Sequence, residues 1–521
     1  MRKTTFILFF ALLLPLCSCN QLRLPDNWQE INQQHIQDSL NARKVKDTIP
    51  PVFSYFAFLK EDNPQLENDI VCNDLGHNTI LVVTPSKVDY PLELVPRFNI
   101  AYGSILYNGD TLVSGQSRMY CSTANAAQLR IEGDDGQTLY RRVAFMPYTG
   151  LPVIVVDTEG QAKISSKEVW QNAVMRTYGF GKFADGLDSV FVKKSGNGTA
   201  ASPKVSFNMK CSSRKSMLGM PRHKRWCFLA NFRDRTEIRN AVAFEMGRLS
   251  DGLEWTPRSE FAEVVLNGKH EGLYQITEQI RADENRVPID EIESASDDIS
   301  GGYLLETDSH YDEQWKFKTS VNNWPVMVKS PDSEVCDSTR LEYLQDYYAD
   351  LENALIQGRF TYIYDNLIDL DSYVDYYIVQ MLAVSGEFAS GESVFGYKKR
   401  DGKLFAGPLW DFEHDTFNGI TDRNMMKSLW YRYMIDDPVF AEALKVRWNT
   451  LKPVYESHIF DYIGDLRDKL SVSAHIDESI YAAETASKNG DNDLSYEDAV
   501  DKLCDILRQR IIWLDSVIQA L

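Results

Sequence analysis

The stretch GPLWDFEHDTFNG, residues 407–419, decides how the rest of the chain is read. Three acids, Asp411, Glu413 and Asp415, stand two apart behind Trp410. Acids in this pattern hold a cation at an active site, or they form the polar face of an ordinary strand end. Asp411 also suits a third role, closing a turn after the strand KLFAGPLW. The surrounding sequence decides among these readings.

The chain has 521 residues, enough for two or three domains with their own cores, and 44% of them are hydrophobic. A net charge of −20 argues against a nucleic-acid partner, which needs a basic face. At the N-terminus, Met-Arg-Lys precedes the greasy run FILFFALLLPL, which is too short to span a membrane as a mature helix. Leu16-Cys17-Ser18-Cys19 follows and resembles a bacterial lipobox, with Cys19 as the lipidated residue. This predicts a signal peptide over 1–19 and an exported protein held in the bacterial cell envelope by lipid, at the outer membrane. No later segment offers about 20 uninterrupted apolar residues for a second membrane span. Six cysteines remain after Cys19, with no CxxC among them, so a zinc site of that kind is not expected and buried free thiols are. No haem or NAD is expected either.

Residues 20–50 are polar and read as a tether, with a weak helix near 28–43. Residues 51–150 carry short alternating strands punctuated by turn pairs such as Asn108-Gly109, which predicts a small all-β sandwich with nothing catalytic in it. From 151 onward strands mix with helices, so the expected class is α+β. TEIRNAVAFEMGRL, 236–249, places Ile238, Ala241, Val242 and Leu249 on one helical stripe, with Asp234 and Glu237 as a capping box. FAEVVLNGKHEGLYQITEQI, 261–280, reads as a hairpin about Asn267-Gly268, a pair that tolerates a type I′ turn. Residues 338–383 read as helical, as does the C-terminal part from about 428, whose last helix is capped by Ser495 and Asp498.

NGDNDLSYEDAV, 489–500, opens like a calcium loop but carries Tyr496 where glycine is needed and no Glu at its twelfth position. No HExxH, GxSxG or Walker loop occurs. What remains is a series of pieces in order: FVKKSGNGTAASPKVSFNMK (191–210), SMLGMPRHKRWCFLANFRDRTEIRNAVAFEMG (216–247), VVLNGKHEGLYQITEQI (264–280), GGYLLETD (301–308) and GESVFGYKKRDGKLFAGPLWDFEHDTFNG (391–419). Together they resemble the CotH family, the spore-coat protein H type of atypical secreted kinase-like proteins. The resemblance covers roughly 151–430 and implies an atypical protein-kinase-like domain over 151–521, behind the β-sandwich.

The resemblance implies ATP and magnesium as cofactors and phosphotransfer to protein Ser or Thr. Such transfer needs a cation near the phosphates, carboxylates for magnesium, and an acid that orients the hydroxyl. Asp411 falls where the family places its metal-binding Asp, with Glu413 and Asp415 as assisting metal ligands. Lys210 falls where family members keep a Lys suited to phosphate, or is the solvated Lys that often ends a strand, and Glu278 is placed to pair with it, with a helix-start Glu as the stronger alternative for that residue. Arg239 and Asn240 fall on a family motif that lines the cleft or structures the loop before the helix.

Departures from the pattern concern the residues nearest the chemistry. The glycine-rich element reads Lys194-Ser195-Gly196-Asn197-Gly198-Thr199 without the usual Arg. Glu387 stands for the proton-accepting Asp, Ser393 for a metal-binding Asn, and Glu413 for the second Asp of W-D-F-D. Glu is one methylene longer than Asp, and a base must lie within hydrogen-bond reach of its hydroxyl. An alternative reading is therefore a kinase-like scaffold that has lost transfer and binds a glycan or envelope protein through Trp226, Trp255, Trp315, Trp324, Trp410 or Trp430. A polysaccharide-cleaving enzyme with paired acids is a third.

Overall fold

Alternating apolar residues close into a barrel in the middle of the chain. The computed structural model describes residues 53–521 apart from 74, 87–88, 134–135, 197, 295–297, 422–423 and 482–487. The lipobox with Cys19, the tether and its helix at 28–43 lie outside the described residues.

Seven strands form the barrel: β1 Val153–Thr158, β2 Gln171–Tyr178, β3 Gly186–Lys194, β4 Phe207–Lys215, β5 His223–Leu229, β6 Ser259–Leu266 and β7 Lys269–Glu278. They are ordered β1-β2-β3-β4-β5-β7-β6, and β6 closes the barrel by pairing parallel with β1. Inward positions alternate along each strand, as Phe207, Met209 and Cys211 of β4 do, and fill the interior with Val192, Trp226, Phe228 and Ile276. The β6–β7 hairpin turns on Asn267 and Gly268, both at positive φ (51° and 83°), as the sequence predicts.

Ahead of the barrel, strands at Phe53–Phe58, Ile70–Val71 and Arg97–Ile100 form one sheet, and a five-stranded sheet contains Thr79–Thr84, Ala127–Glu132 and Thr138–Pro147. Both contribute to one core, with Phe56 and Phe58 from the first and Ile80, Leu129 and Phe145 from the second. Thr138–Pro147 is two-faced: Val143 and Phe145 enter that core, whereas Ala144 and Met146 pack with Val153, Val155 and Val265 of the barrel. A buried Arg176–Asp157 ion pair, with Thr79 bonded to the same carboxylate, lies at this junction.

Helix α1, Arg239–Arg248, follows β5. The predicted stripe understates its burial: Ala243, Phe244 and Met246 are as buried as Ile238, Ala241 and Val242. The capping box is also different. Asp234 accepts from the backbone N–H of Thr236 and Arg239, but Glu237 has a positive φ of 58° and lies outside the helix. A second sheet follows, β8 Tyr303–Thr307, β9 Lys316–Lys318, β10 Pro325–Ser330, β11 Val394–Lys398 and β12 Leu404–Ala406, in the order β9-β10-β8-β11-β12. Between β10 and β11 lie α2 Ser338–Ile356, α3 Phe360–Asn366, α4 Leu370–Ala383 and the short α5 Gly386–Ser390.

The C-terminal part is helical as predicted, with α6 Tyr431–Met434, α7 Pro438–Tyr481 and α8 Tyr496–Ala520. Ser495 caps α8 by accepting from the Asp498 N–H. These helices and α4 share a large core built on Trp448, Tyr455, Leu507 and Leu514. Helix α7 also reaches the barrel, where buried Lys204 bonds Asp477 at 2.8 Å and buried Ser473 donates to Glu263. All six cysteines from Cys72 onward are free thiols, five of them buried. Among the described residues no helix is long and apolar enough to cross a membrane. The observed architecture is mixed α+β.

Candidate active site

The loop after β12 carries Asp411, and its path is fixed from below. Asp411 has a positive φ of 62°, which a non-glycine residue holds only when its neighbours determine it. Asn240 of α1 supplies that constraint: its Oδ1 accepts the Phe412 N–H at 2.8 Å while Phe412 is fully buried. Asn489 adds a second tie, accepting from the Thr416 N–H at 3.0 Å and donating to the Glu413 carbonyl at 2.9 Å. Arg239 joins the two segments beneath the loop. It is 1% exposed, pairs with Asp234 and with Asp491 (2.7 Å), and donates to the Thr416 carbonyl. Thus Asn240 reaches the cleft, whereas Arg239 lies below it as a brace. The calcium-like NGDND segment is part of the same brace.

Above this loop, the barrel and the second sheet enclose a cleft of about 670 Å³. Asp411 and Glu413 line it, as does Glu387 from α5, together with Asp308 at the end of β8 and Glu392. Three of these carboxyls, Asp411, Glu413 and Glu387, resist ionisation. Burial first, then Asp308, holds Asp411 up at about 6. Burial and then Asp411 push Glu413 to about 8. The same two causes push Glu387 to about 8. Arg233, in the same cleft, works against this for Asp411 and Glu413. Glu413 Oε1 is buried with no hydrogen-bond partner.

This donor set fits a hard divalent cation. It is all oxygen, its mutual repulsion would be relieved by positive charge, and it contains an orphaned buried carboxylate oxygen. Among the described residues no group of three His, Cys, Asp or Glu side chains forms a ready-made cage. Magnesium usually takes one or two carboxylates and completes its shell with water and phosphate.

The cleft also holds cations and glycines suited to phosphate: Lys194, Ser195, Gly196 and Gly198 from the glycine-rich element, and Arg233, whose guanidinium donates to the Gly198 carbonyl at 2.9 Å. A family model described as CotH kinase protein matches residues 192–514, more than half of the 521-residue chain. The chain belongs to the CotH kinase family. No curated protein matches it.

The CotH match begins inside β3, so β1 and β2, which close the barrel, precede it. Within the matched region the structure separates the predicted site residues. Glu387, Asp411, Glu413 and Asn240 meet in the cleft. Asp415 does not line it. Its carboxylate lies against α5, accepts from Asn418 at 2.7 Å, and sits where a Cβ on Gly386 would meet it at 2.4 Å.

Lys210 and Glu278 do not pair, and strand parity is the reason. Met209, Trp226 and Glu278 are successive partners across β4, β5 and β7, so they share one face of the wall. Lys210, one residue on, faces the other side and pairs across the ladder with Arg225. Glu278 ends a strand rather than starting a helix. It is fully buried between Arg258 (2.9 Å) and Arg286 (3.6 Å).

Asp308, Arg233 and Asn489 were not singled out from the sequence. Asp308 closes the GGYLLETD segment, accepting from the Ser393 N–H at 3.2 Å and the His310 N–H at 2.7 Å. Ser393, at φ 53°, faces Asp411, and its hydroxyl works against the rise of the Asp411 pKa. From the position where the family keeps Asn it ties Asp308 and touches the field of Asp411.

Proposed function

We propose that this CotH-family chain is an exported, lipid-anchored atypical kinase that uses ATP with magnesium to phosphorylate a Ser or Thr of an envelope protein. The observation that carries the reading is the convergence of Glu387, Asp411 and Glu413 in one cleft with the glycine-rich element and Arg233. Asp411 and Glu413 would hold the ion, which supplies charge compensation to the phosphates. Arg233 and Lys194 bind phosphate oxygens, and the backbone of Ser195, Gly196 and Gly198 cradles them. Glu387 orients the acceptor hydroxyl and takes its proton once a nearby cation lowers its pKa from about 8. Asn240 holds Asp411 in position. Cys19 carries the lipid that places the chain at the outer membrane, and the two N-terminal sheets form a β-sandwich spacer in front of the kinase-like domain.

A second reading is a kinase-like scaffold that binds an envelope protein or glycan without transfer. It is favoured by the absence of Lys210 and Glu278 from the cleft and by the Glu387 replacement. Of the proposed glycan platforms, Trp226 is fully buried and Trp430 is 8% exposed, whereas Trp255, Trp315, Trp324 and Trp410 are part-exposed. Transfer of labelled γ-phosphate from ATP to an envelope extract separates the readings. Transfer by the wild type that is lost in Glu387→Gln and in Asp411→Asn supports the kinase; no transfer by a folded wild type supports the scaffold.

A further inference from the structure

One arm of the cleft carries charge that the kinase reading leaves unused. It runs beside the acidic centre and is lined by Trp170, Lys193, Arg225, Arg281, Trp315 and Trp410. Two cations approach the Trp170 ring, Lys193 at 5.1 Å and Arg225 at 4.8 Å from its centroid. Among the described residues, Lys193, Arg225 and Arg281 make no ion pair with a carboxylate. All other charged groups of the arm are accounted for: Glu306 and Glu313 are both paired with Lys329, and Asp332 acts on Arg225 from beyond ion-pair distance. Burial and the field of Arg281 lower the pKa of Arg225, and burial, opposed by Glu168 and Glu313 and aided by both arginines, lowers that of Lys193. Three like charges, part-buried together without a direct carboxylate partner in a chain of net charge −20, carry a cost that the fields of Glu168, Glu313 and Asp332 offset only in part.

We infer that this arm is a recognition site for an acidic peptide segment, the stretch of the acceptor protein beside the phosphorylated hydroxyl. The choice of occupant follows from charge. A neutral nucleobase would stack on Trp170 but leave both guanidiniums uncompensated. Carboxylates pair with them in forked geometry while the peptide backbone lies along Trp170 and Trp315. The inference names the substrate class of the proposed kinase and rests on that reading for the word acceptor. Binding itself is independent of transfer.

The test is fluorescence anisotropy of two labelled repeat peptides, Glu-Ser and Gln-Ser, with the purified protein in the absence of nucleotide. A repeat presents an acid in every register. The wild type is expected to bind the Glu-Ser peptide at least tenfold tighter than the Gln-Ser peptide. Arg225→Gln with Arg281→Gln is expected to remove that difference, with magnesium-dependent ATP affinity changed by less than twofold. Each single variant keeps the test available if the double variant misfolds, as circular dichroism would show. Equal affinity of the wild type for the two peptides overturns the inference. So does a loss of ATP affinity in the folded variants, which would assign the arm to the nucleotide. Failure of the wild type to bind ATP would instead sink the proposed kinase, while the peptide comparison still decides this site.

Discussion

Replacing Glu413 by Gln isolates the electrostatic cost of the acidic cleft. The Glu413 carboxyl is pushed from an ordinary 4.5 to about 8, chiefly by burial and next by Asp411. The folded chain therefore keeps a proton that the unfolded chain releases. That contribution to stability is fully present below pH about 4.5 and is lost as pH rises through about 8. At about 1.4 kcal/mol per pH unit the full effect is about 5 kcal/mol, and sharing of the field with Asp411 reduces it to about 3 kcal/mol. Gln carries no such proton. Urea unfolding of both proteins at pH 5, 6.5 and 8 in chelator should show the variant gaining about 2 kcal/mol on the wild type between the ends of that range, since part of the effect falls below pH 5. Magnesium at pH 8 should stabilise the wild type by more than the variant, which keeps Asp411 but lacks the second carboxylate. Parallel pH profiles for the two proteins would refute the assignment of Glu413 as a buried, uncompensated carboxyl.

Other substitutions probe the supports. Asn240→Ala leaves the buried Phe412 N–H without an acceptor and should cost about 1–3 kcal/mol in urea unfolding and more than tenfold in magnesium-dependent ATP affinity. Arg239→Met breaks a buried network with Asp234 and Asp491 and should cost about 3–5 kcal/mol, seen as a large drop in Tm. Glu278→Gln should lower Tm while leaving ATP affinity within about twofold, and Lys210→Met should change neither, because both side chains stand outside the cleft. Gly272→Ala should destabilise strongly: its φ is 86° and a Cβ there would come within 2.1 Å of the Asp477 carboxylate that holds Lys204.

Local signals were legible in the sequence where one segment determines its own structure. Asn267-Gly268 gave its hairpin, Ser495 its cap, and the apolar periodicity after 428 its helices. The barrel was not legible, because its closure is a parallel pairing of Val153–Val156 with Glu263–Leu266, more than a hundred residues away. Glu278 illustrates the same limit. Its segment allowed a helix start, and only the register through Trp226 shows which face it takes. Asp411, Glu413 and Glu387 could be picked by type and by family resemblance. Asp308 and Arg233 could not, because their importance comes from neighbours remote in sequence. NGDND failed as a calcium loop for a reason that composition could show, but its use beneath Thr416 depends on tertiary contacts alone.

The account stands on Asp411 holding magnesium with a nucleotide in this cleft. Calorimetric titration of ATP into the purified protein, with and without magnesium and beside Asp411→Ala, tests it most directly. Micromolar binding that requires magnesium and disappears in the folded variant is the predicted result. Binding that is absent from both folded proteins, or that survives in Asp411→Ala, would contradict it.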